Sequence, residues 1–487
     1  MSPITEFYSE KTIFITGATG YMGKVLLEKL VRSLPEIKKI YILLRPKKGC
    51  SPQERLKKLT DDVIFTFHDM NAKAYDKIEV ISGDVSKENF ELSEVDKKKL
   101  IEEVSIVFHL AACVRMDLPL KEAVITNTKS TYQLFKFCVN MKALKSVVHL
   151  STAFCNVEIM NAEEKIYSMD LDPYKIIDLV EWMDDKSLNN ITKRLLGPHP
   201  NTYTFTKRLS EMIAMDMNDK IPLIISRPSI VFPAIKEPIP GWVDNLNGPI
   251  GLFYAGGKGI VRSGIIDENL VPQIIPVDVA INSLIVSGYE RATNMYCDRV
   301  INVSCGDVLR PTWRDMFVTF QYLAIKYPYK LILWYPKPHL TTSYYLYIIN
   351  VILFQILPAI IIDFLLIIFL QKPFLINIQK RLLLTWKVLR PFTTKKWIFS
   401  NTNFLKLHEK LNTYDSNVFY IIENFEENKF RKYCKDCFKT ANKYLLKETL
   451  ENLSLYRIRN KILFVLDLLI KVFFIYFVLK WIFVKHF

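Results

Sequence analysis

The stretch KTIFITGATGYMGKVLLEKL, residues 11–30, decides the fold of this chain. Its first six residues form a short apolar run with β-branched side chains, as in a buried strand, and its last ten residues have the character of a helix. The glycine loop TGATGYMG, residues 16–23, lies between them. A glycine loop placed between a strand and a helix is typical of dinucleotide binding.

Each glycine of the loop has its own expected role. Gly17 permits a sharp turn, Gly20 lets the backbone approach a pyrophosphate, and Gly23 lets the helix pack closely on the strand. The pyrophosphate would lie at the helix N-terminus, where free N–H groups and the helix dipole favour an anion. The cofactor contacts predicted along the loop are Thr16, Gly17, Thr19, Gly20, Tyr21, Met22 and Gly23.

Short apolar runs and longer helix-like stretches alternate as far as about residue 305. The runs of strand length are residues 11–16, 39–44, 77–82, 104–110, 146–150, 223–226 and 300–303. This alternation is typical of parallel strands joined by right-handed crossovers. We predict an α/β fold, a doubly wound parallel Rossmann sheet with a substrate-binding extension.

Composition limits the classes of partner. The chain has 487 residues, enough for two or three structural units, and its formal charge of +15 indicates an anionic partner: nucleic acid, a membrane surface or a phosphate-bearing small molecule. Its eight cysteines have no repeating spacing, which favours a reducing compartment. Cys434 and Cys437 form a single CxxC that we interpret as incidental, and we predict no metal.

Two apolar stretches follow the sheet region. Residues 343–370 are almost wholly apolar, and because one span needs about 20 residues, a tilted helix and a Pro-bent monotopic hairpin both fit. Residues 372–396 supply a basic flank suited to anionic headgroups. Residues 462–484 form the second stretch, where three charges leave a tail anchor and an interfacial helix as alternatives.

The residues after the second strand indicate which nicotinamide cofactor is used. An acidic residue there binds the ribose 2′-hydroxyl, whereas an arginine accommodates a 2′-phosphate. The sequence has Arg45, followed by Lys48, and no acid, so it favours NADPH. Other cofactor contacts are expected after the third and fourth strands, at Asp84, Val85, Ala111 and Ala112.

A candidate catalytic pair follows the fifth strand. Tyr203 and Lys207 lie four apart and share one face of a helix. A cationic neighbour favours tyrosinate, so we expect Lys207 to lower the pKa of Tyr203 for proton exchange with a carbonyl oxygen. Ser151 and Thr152 end the fifth strand, where a hydroxyl could bind the same oxygen.

These features resemble the extended short-chain dehydrogenase/reductases, and more narrowly an insect-like fatty acyl-CoA reductase. The segments that carry the resemblance are TGATGYMGKVLLEKL (16–30), ILLRPKKG (42–49), VFHLAACVRMD (107–117), HLSTAFCN (149–156), PNTYTFTKRLSE (200–211), SRPSIV (226–231), PGWVDNLNGPIG (240–251), GKGIVRS (257–263) and FRKYCKDCFKTANKYLLKE (430–448). Residues 421–430 lack the acidic-aromatic signature expected of that family, which leaves chain-length selectivity open.

The resemblance implies reduction of a long-chain acyl-CoA to a primary alcohol with two NADPH. It gives Tyr203 the role of proton donor, assisted by Thr152 or Ser151, and Lys207 the nicotinamide ribose. It adds Asn127, Pro228 and Ile230 to the cofactor contacts, with Tyr203 and Lys207 themselves. The domains it implies are a reductase domain at 8–325, a membrane-embedded segment at 340–372, a helical C-terminal domain at 373–455 and a transmembrane anchor at 460–487.

Other readings of the sequence differ in class. A membrane-bound sterol dehydrogenase would share the glycine loop, the YxxxK pair and an apolar tail, and a non-enzymatic NADPH sensor would keep only the fold. We expect an acyl-CoA substrate and membrane lipid as partners and no nucleic acid, with homo-oligomerisation open. The C-terminus Lys485-His486-Phe487 is not a peroxisomal signal, so we expect the endoplasmic reticulum, with the catalytic domain facing the cytosol.

Overall fold

The computed structural model of the chain describes residues 2–46, 49–68, 72–306, 310–421, 427–448 and 452–486. Its strands, numbered along the chain, are β1 Thr12–Thr16, β2 Lys39–Leu44, β3 Ile78–Ser82, β4 Ile106–His109, β5 Ser146–Leu150, β6 Asn161–Ala162, β7 Leu223–Pro228, β8 Ile230–Phe232, β9 Ser263–Ile265, β10 Ile274–Pro276, β11 Val300–Val303, β12 His339–Thr341 and β13 Ile398–Phe399.

The helices are α1 Pro3–Tyr8, α2 Tyr21–Ser33, α3 Pro52–Thr60, α4 Val63–Thr66, α5 Glu94–Glu103, α6 Leu120–Ala123, α7 Ser130–Val139, α8 Pro173–Trp182, α9 Asp185–Leu196, α10 Thr202–Met217, α11 Pro249–Gly257, α12 Val277–Thr293, α13 Trp313–Lys326, α14 Tyr344–Val351, α15 Leu357–Ile368, α16 Leu375–Thr393, α17 Thr402–Glu409, α18 Thr413–Val418, α19 Glu427–Thr440 and α20 Leu453–His486. A π-helical turn, Ile352–Ile356, joins α14 to α15.

Contacts divide the chain into two compact units. Unit 1 contains residues 1–242, 273–310 and 396–425, and unit 2 contains residues 243–272, 311–395 and 426–487. The contiguous domains predicted at 8–325 and 373–455 stay predictions, whereas these two units are interleaved along the chain. The reason is that residues 396–421 return to unit 1, where β13 pairs with β6 and Asn302 donates hydrogen bonds to the carbonyls of Ala162 and Ser400.

The sheet of unit 1 has seven parallel strands in the order β11-β7-β5-β4-β1-β2-β3. These are the seven strands predicted from the sequence, so the doubly wound α/β fold is confirmed. The interior strand β1 is buried along its whole length, since helices cover both faces of a sheet of this kind. One face of the sheet packs with α7 and α10 in the hydrophobic core, and α12 lies on the other face.

Unit 2 is mainly helical. The strands β9 and β12 pair in parallel, and α13 packs against α11, where the rings of Phe253 and Phe320 stack with centroids 4.6 Å apart. Cys434 and Cys437 are buried in α19 and are not joined in a disulfide. Within the described residues, one helix, Tyr344–Ile368, is long and apolar enough to cross a membrane. The spans predicted at 340–372 and 460–487 stay predictions.

Candidate active site

The glycine loop places backbone where side chains would not fit. Gly17 has φ +80°, and a Cβ there would lie 2.6 Å from the amide nitrogen of Ala111. A Cβ at Gly23 would overlap the carbonyl oxygen of Gly17. The loop is therefore as close to α2 and to the end of β4 as glycine allows, which fits the predicted dinucleotide cradle.

The N-terminus of α2 is suited to an anion. Gly20 precedes the helix and has no side chain to occupy the first N–H groups, which are left for a phosphate. The hydroxyl of Tyr21 donates to the carbonyls of Phe232 and Trp242, at 3.2 and 3.3 Å, and its ring stacks on Trp242. The Tyr21 side chain thus fixes the helix in unit 1.

Arg45 directly follows β2, at the position expected for a 2′-phosphate ligand. Its side chain is 71% exposed, and its guanidinium lies 4.0 Å from the carboxylate of Asp84. Asp84 also accepts from the backbone and hydroxyl of Ser86, at 3.0 and 2.8 Å. Lys48 lies outside the described residues.

The residues predicted around the nicotinamide half lie at the end of β4. The amide of Ala111 donates to the Thr16 hydroxyl at 3.4 Å. Asn127 accepts from the amide of Cys113 at 2.7 Å and donates to the hydroxyl of Thr206 at 3.0 Å. Asn127 is buried, so its side chain ties the loop after β4 to α10.

Tyr203, Lys207 and Thr152 are brought together. The side chain of Asn201 accepts from the amide of Thr204 and starts α10, which places Tyr203 in the first turn of the helix. The side chain of Thr152 lies beside the phenol of Tyr203, where its hydroxyl acts to lower the pKa of that phenol. The ammonium of Lys207 donates to the carbonyl of Leu150, at the end of β5, at 2.7 Å. The predicted acid, its cation and a hydroxyl therefore share the carboxyl end of β5.

The pKa of Tyr203 differs from the expectation. Burial of the hydroxyl raises the pKa above its ordinary value, the neighbouring Cys155 adds to this, and the Thr152 hydroxyl opposes it. The ammonium of Lys207 points to the Leu150 carbonyl. In this state the phenol is a protonated donor, and the predicted lowering of its pKa by Lys207 is not seen.

Burial also changes Lys207 itself. Desolvation lowers the pKa of Lys207 to about 8, although Glu211 and Cys155 favour the charged form. Glu211 follows one turn later on α10 and binds the buried guanidinium of Arg227 through both carboxylate oxygens, at 2.8 and 2.5 Å. This ion pair ties the face of α10 that carries the candidate residues to β7.

Three further predicted residues lie near the carboxyl ends of β5 and β7: Ser151, Pro228 and Ile230. Ser151 is buried, and its amide donates to the carbonyl of Ser226 at 2.8 Å. Pro228 ends β7, and the amide of Ile230 donates to the carbonyl of Gln273 at 2.9 Å, which holds β8 beside β10.

Two buried histidines beneath the site were not predicted. His109 and His149 are register partners on β4 and β5, with ring centroids 5.2 Å apart. His109 hydrogen-bonds to the hydroxyls of Thr16 and Thr131, at 2.7 and 3.0 Å. Burial lowers the pKa of His109 to about 3 and that of His149 well below its usual value, with Lys207 adding to both effects. The only sequence signal is that the same pair, His-Leu, occurs at the carboxyl end of both strands, at 109–110 and 149–150.

Comparison with known proteins identifies the family. Two family models, both described as male sterility protein, match residues 15–284 and 354–448. Fatty acyl-CoA reductase 2 of Mus musculus is 38% identical over 94% of this chain and 90% of the mouse protein. The chain belongs to the fatty acyl-CoA reductase family.

Insect and human relatives match the reductase to a similar extent. A putative fatty acyl-CoA reductase of Drosophila melanogaster is 35% identical, covering 98% of this chain and 94% of its own. Fatty acyl-CoA reductase 1 of Homo sapiens is 35% identical, covering 94% and 89%. Sequence identity therefore does not distinguish an insect-like reductase from a vertebrate one.

The solved structures support the fold. The reductase domain of a nonribosomal peptide synthetase from Mycobacterium tuberculosis superimposes with a TM-score of 0.59 at 16% identity, over 89% of this chain and 92% of its own. Together with the family, this fold makes the protein an oxidoreductase that uses a nicotinamide cofactor.

Proposed function

We propose that this reductase converts long-chain fatty acyl-CoA to a primary alcohol with NADPH, through an enzyme-held aldehyde and with release of CoA. The observation that carries the proposal is that Tyr203, Thr152 and Lys207 meet at the carboxyl end of β5, in a chain related over nearly its whole length to fatty acyl-CoA reductases. A phenol held in this way can donate a proton to a carbonyl oxygen.

The residues of the glycine loop fit a dinucleotide. Gly17 and Gly23 leave no room for a Cβ, and the N-terminus of α2 offers N–H groups to a pyrophosphate. The other contacts that we propose are Asp84, Val85, Ala111, Ala112, Asn127, Pro228 and Ile230, with Lys207 toward the ribose. NADPH, when bound, supplies the hydride.

In each reduction Tyr203 donates its proton to the substrate oxygen as that oxygen gains negative charge. Its raised pKa keeps the phenol protonated at neutral pH, and Thr152 or Ser151 provides a second hydroxyl. The hemithioacetal formed first loses CoA, and the resulting aldehyde is reduced at the same residues. Lys207 is charged below pH about 8, and we assign it to the tyrosinate that remains until a proton returns, for which its ammonium must leave the Leu150 carbonyl.

NADPH is proposed over NADH because of Arg45. An exposed guanidinium at the end of β2 can bind a 2′-phosphate through charge-assisted hydrogen bonds. Arg45→Ala should raise the KM for NADPH by roughly 10- to 100-fold, since such a bond contributes about 1.5–3 kcal/mol. The KM for NADH should change little, and an equal rise for both cofactors would contradict the assignment.

We also propose membrane association, in the endoplasmic reticulum and with the catalytic unit facing the cytosol. The support is the exposed apolar helix Tyr344–Ile368 and the basic residues that follow it. Membrane lipid would then be a partner alongside the acyl-CoA substrate.

The proposed reaction is tested with membranes that contain the chain, NADPH and a series of acyl-CoA lengths, with a sterol as the alternative substrate. Tyr203→Phe should lower alcohol formation by about 10²- to 10⁴-fold, the usual contribution of a general acid. Tyr174→Phe is the matched control, because the Tyr174 hydroxyl bonds to Asp216. Unchanged alcohol formation in Tyr203→Phe, or sterol turnover without acyl-CoA reduction, would overturn the proposal.

A further inference from the structure

The apolar helix Tyr344–Ile368 has two unlike faces. The buried side chains in it recur at every fourth residue: Tyr347, Val351, Gln355, Ala359 and Asp363. Its exposed side chains are apolar or aromatic, and they include Ile360 at 47% and Phe364 at 61% exposure. A helix attached along one stripe differs from a free transmembrane helix, which meets lipid all round.

Both strongly polar residues of the buried stripe are used inside unit 2. The side-chain oxygen of Gln355 accepts from the amides of Arg262 and Ser263, at 2.5 and 3.1 Å. The Asp363 carboxylate accepts from the first amides of the following helix, those of Phe374, Leu375 and Ile376, at 2.9–3.0 Å. The polar residues that interrupt this stretch therefore hold the helix to the protein.

The following helix, α16, turns back along the first. It packs against α15 and also against the π turn before α15, so the two helices form a hairpin. Buried residues of α16 fix it to β9. The Thr393 hydroxyl donates to the carbonyl of Ile265, and Trp386 lies against Gly264. The exposed residues of the turn and of α16 include five cations: Lys372, Lys380, Arg381, Lys387 and Arg390.

The hairpin and its exposed cations argue against a helix that crosses the membrane. If the first helix crossed the hydrocarbon core, α16 would return through the core with exposed lysines and arginines, which are costly there. The turn between the helices would also have to emerge on the far side. A hairpin lying along the surface places the apolar face among the acyl chains and the cations at the level of the anionic headgroups.

We propose that the helix Tyr344–Ile368 is a monotopic docking element, which enters one leaflet of an anionic phospholipid bilayer with α16 beside it and does not cross. This proposal rests on the proposed membrane association and adds the topology of the helix in the membrane. Both ends of the apolar helix then lie on the same side of the membrane, and the hairpin turn stays in the leaflet on that side.

Cysteine labelling in sealed microsomes tests the topology of the full chain. Lys337→Cys precedes the helix and Lys372→Cys follows its turn, and a membrane-impermeant maleimide reports which side each occupies. Cys50→Ser and Cys113→Ser remove the partly exposed native thiols. We expect both introduced cysteines to react before permeabilisation. If Lys372→Cys reacts only after permeabilisation while Lys337→Cys reacts before, the proposal is overturned. A single span and a hairpin of two spans would both give that result, because each places residue 372 on the far side of the membrane.

Flotation with vesicles of phosphatidylcholine and phosphatidylserine tests the occupant. The double variant Ile360→Glu and Phe364→Glu should reduce the floated fraction severalfold. The matched control, Val318→Glu and Leu331→Glu, changes exposed apolar residues elsewhere in unit 2 and should float like the parent. If the unmodified protein self-associates without floating, the proposal that lipid covers this face is overturned. Acyl-CoA reduction is measured separately, so that outcome leaves the proposed reaction untouched.

Discussion

At the residue scale, the candidate chemistry depends on how burial sets the protonation of a few groups. The phenol of Tyr203 stays protonated, His109 and His149 stay neutral, and Lys207 has its pKa lowered to about 8. The sequence predicted Tyr203 and Lys207 from their spacing on a helix. It did not indicate the two histidines, because a histidine in a strand is distinguished only by what packs around it, here Thr16 and Thr131.

The lowered pKa of Lys207 predicts the pH profile. A lysine loses its charge as the pH rises through its pKa, so kcat/KM should fall above pH about 8 if the charged form is needed. Lys207→Arg keeps a positive charge over this range, and its profile should lose the fall near pH 8 even if its maximum is lower. A fall at the same pH in both enzymes would show that another group titrates.

At the element scale, α10 is the part of the fold that positions the site. Tyr203, Lys207 and Glu211 follow one another at every fourth residue, so one face of the helix carries the acid, the cation and an anchor. The anchor is the fully buried pair of Glu211 with Arg227 on β7. The spacing was available from the sequence, but the partner was not, since sixteen residues and a turn separate Glu211 from Arg227.

Breaking this pair should destabilise unit 1. Arg227→Met leaves the buried Glu211 carboxylate without its guanidinium partner, and breaking a buried ion pair in this way typically costs about 3–5 kcal/mol. Arg227→Met with Glu211→Leu should recover most of the lost free energy of unfolding, and Arg115→Met, which removes an exposed pair with Asp117, should change it little. Chemical denaturation measures all three, and a double variant no more stable than Arg227→Met would contradict the role of the pair.

At the scale of the whole molecule, the seven sheet strands were predictable because buried strands with β-branched residues follow one another between helices. The division of the chain into two interleaved units was not predictable. Residues 396–421 follow a basic, helical stretch, yet they return to unit 1, where the hydroxyl of Tyr420 binds the buried carboxylate of Asp278. Such a return depends on partners more than a hundred residues away, which local composition does not indicate.

The central claim is a two-step reduction by one chain. The direct measurement is the amount of NADPH oxidised per alcohol formed, by membranes containing the chain and a long-chain acyl-CoA, with CoA release followed in parallel. The account predicts two NADPH and one CoA for each alcohol, with little free aldehyde. One NADPH per CoA with aldehyde as the final product, or NADPH oxidation without CoA release, would contradict it.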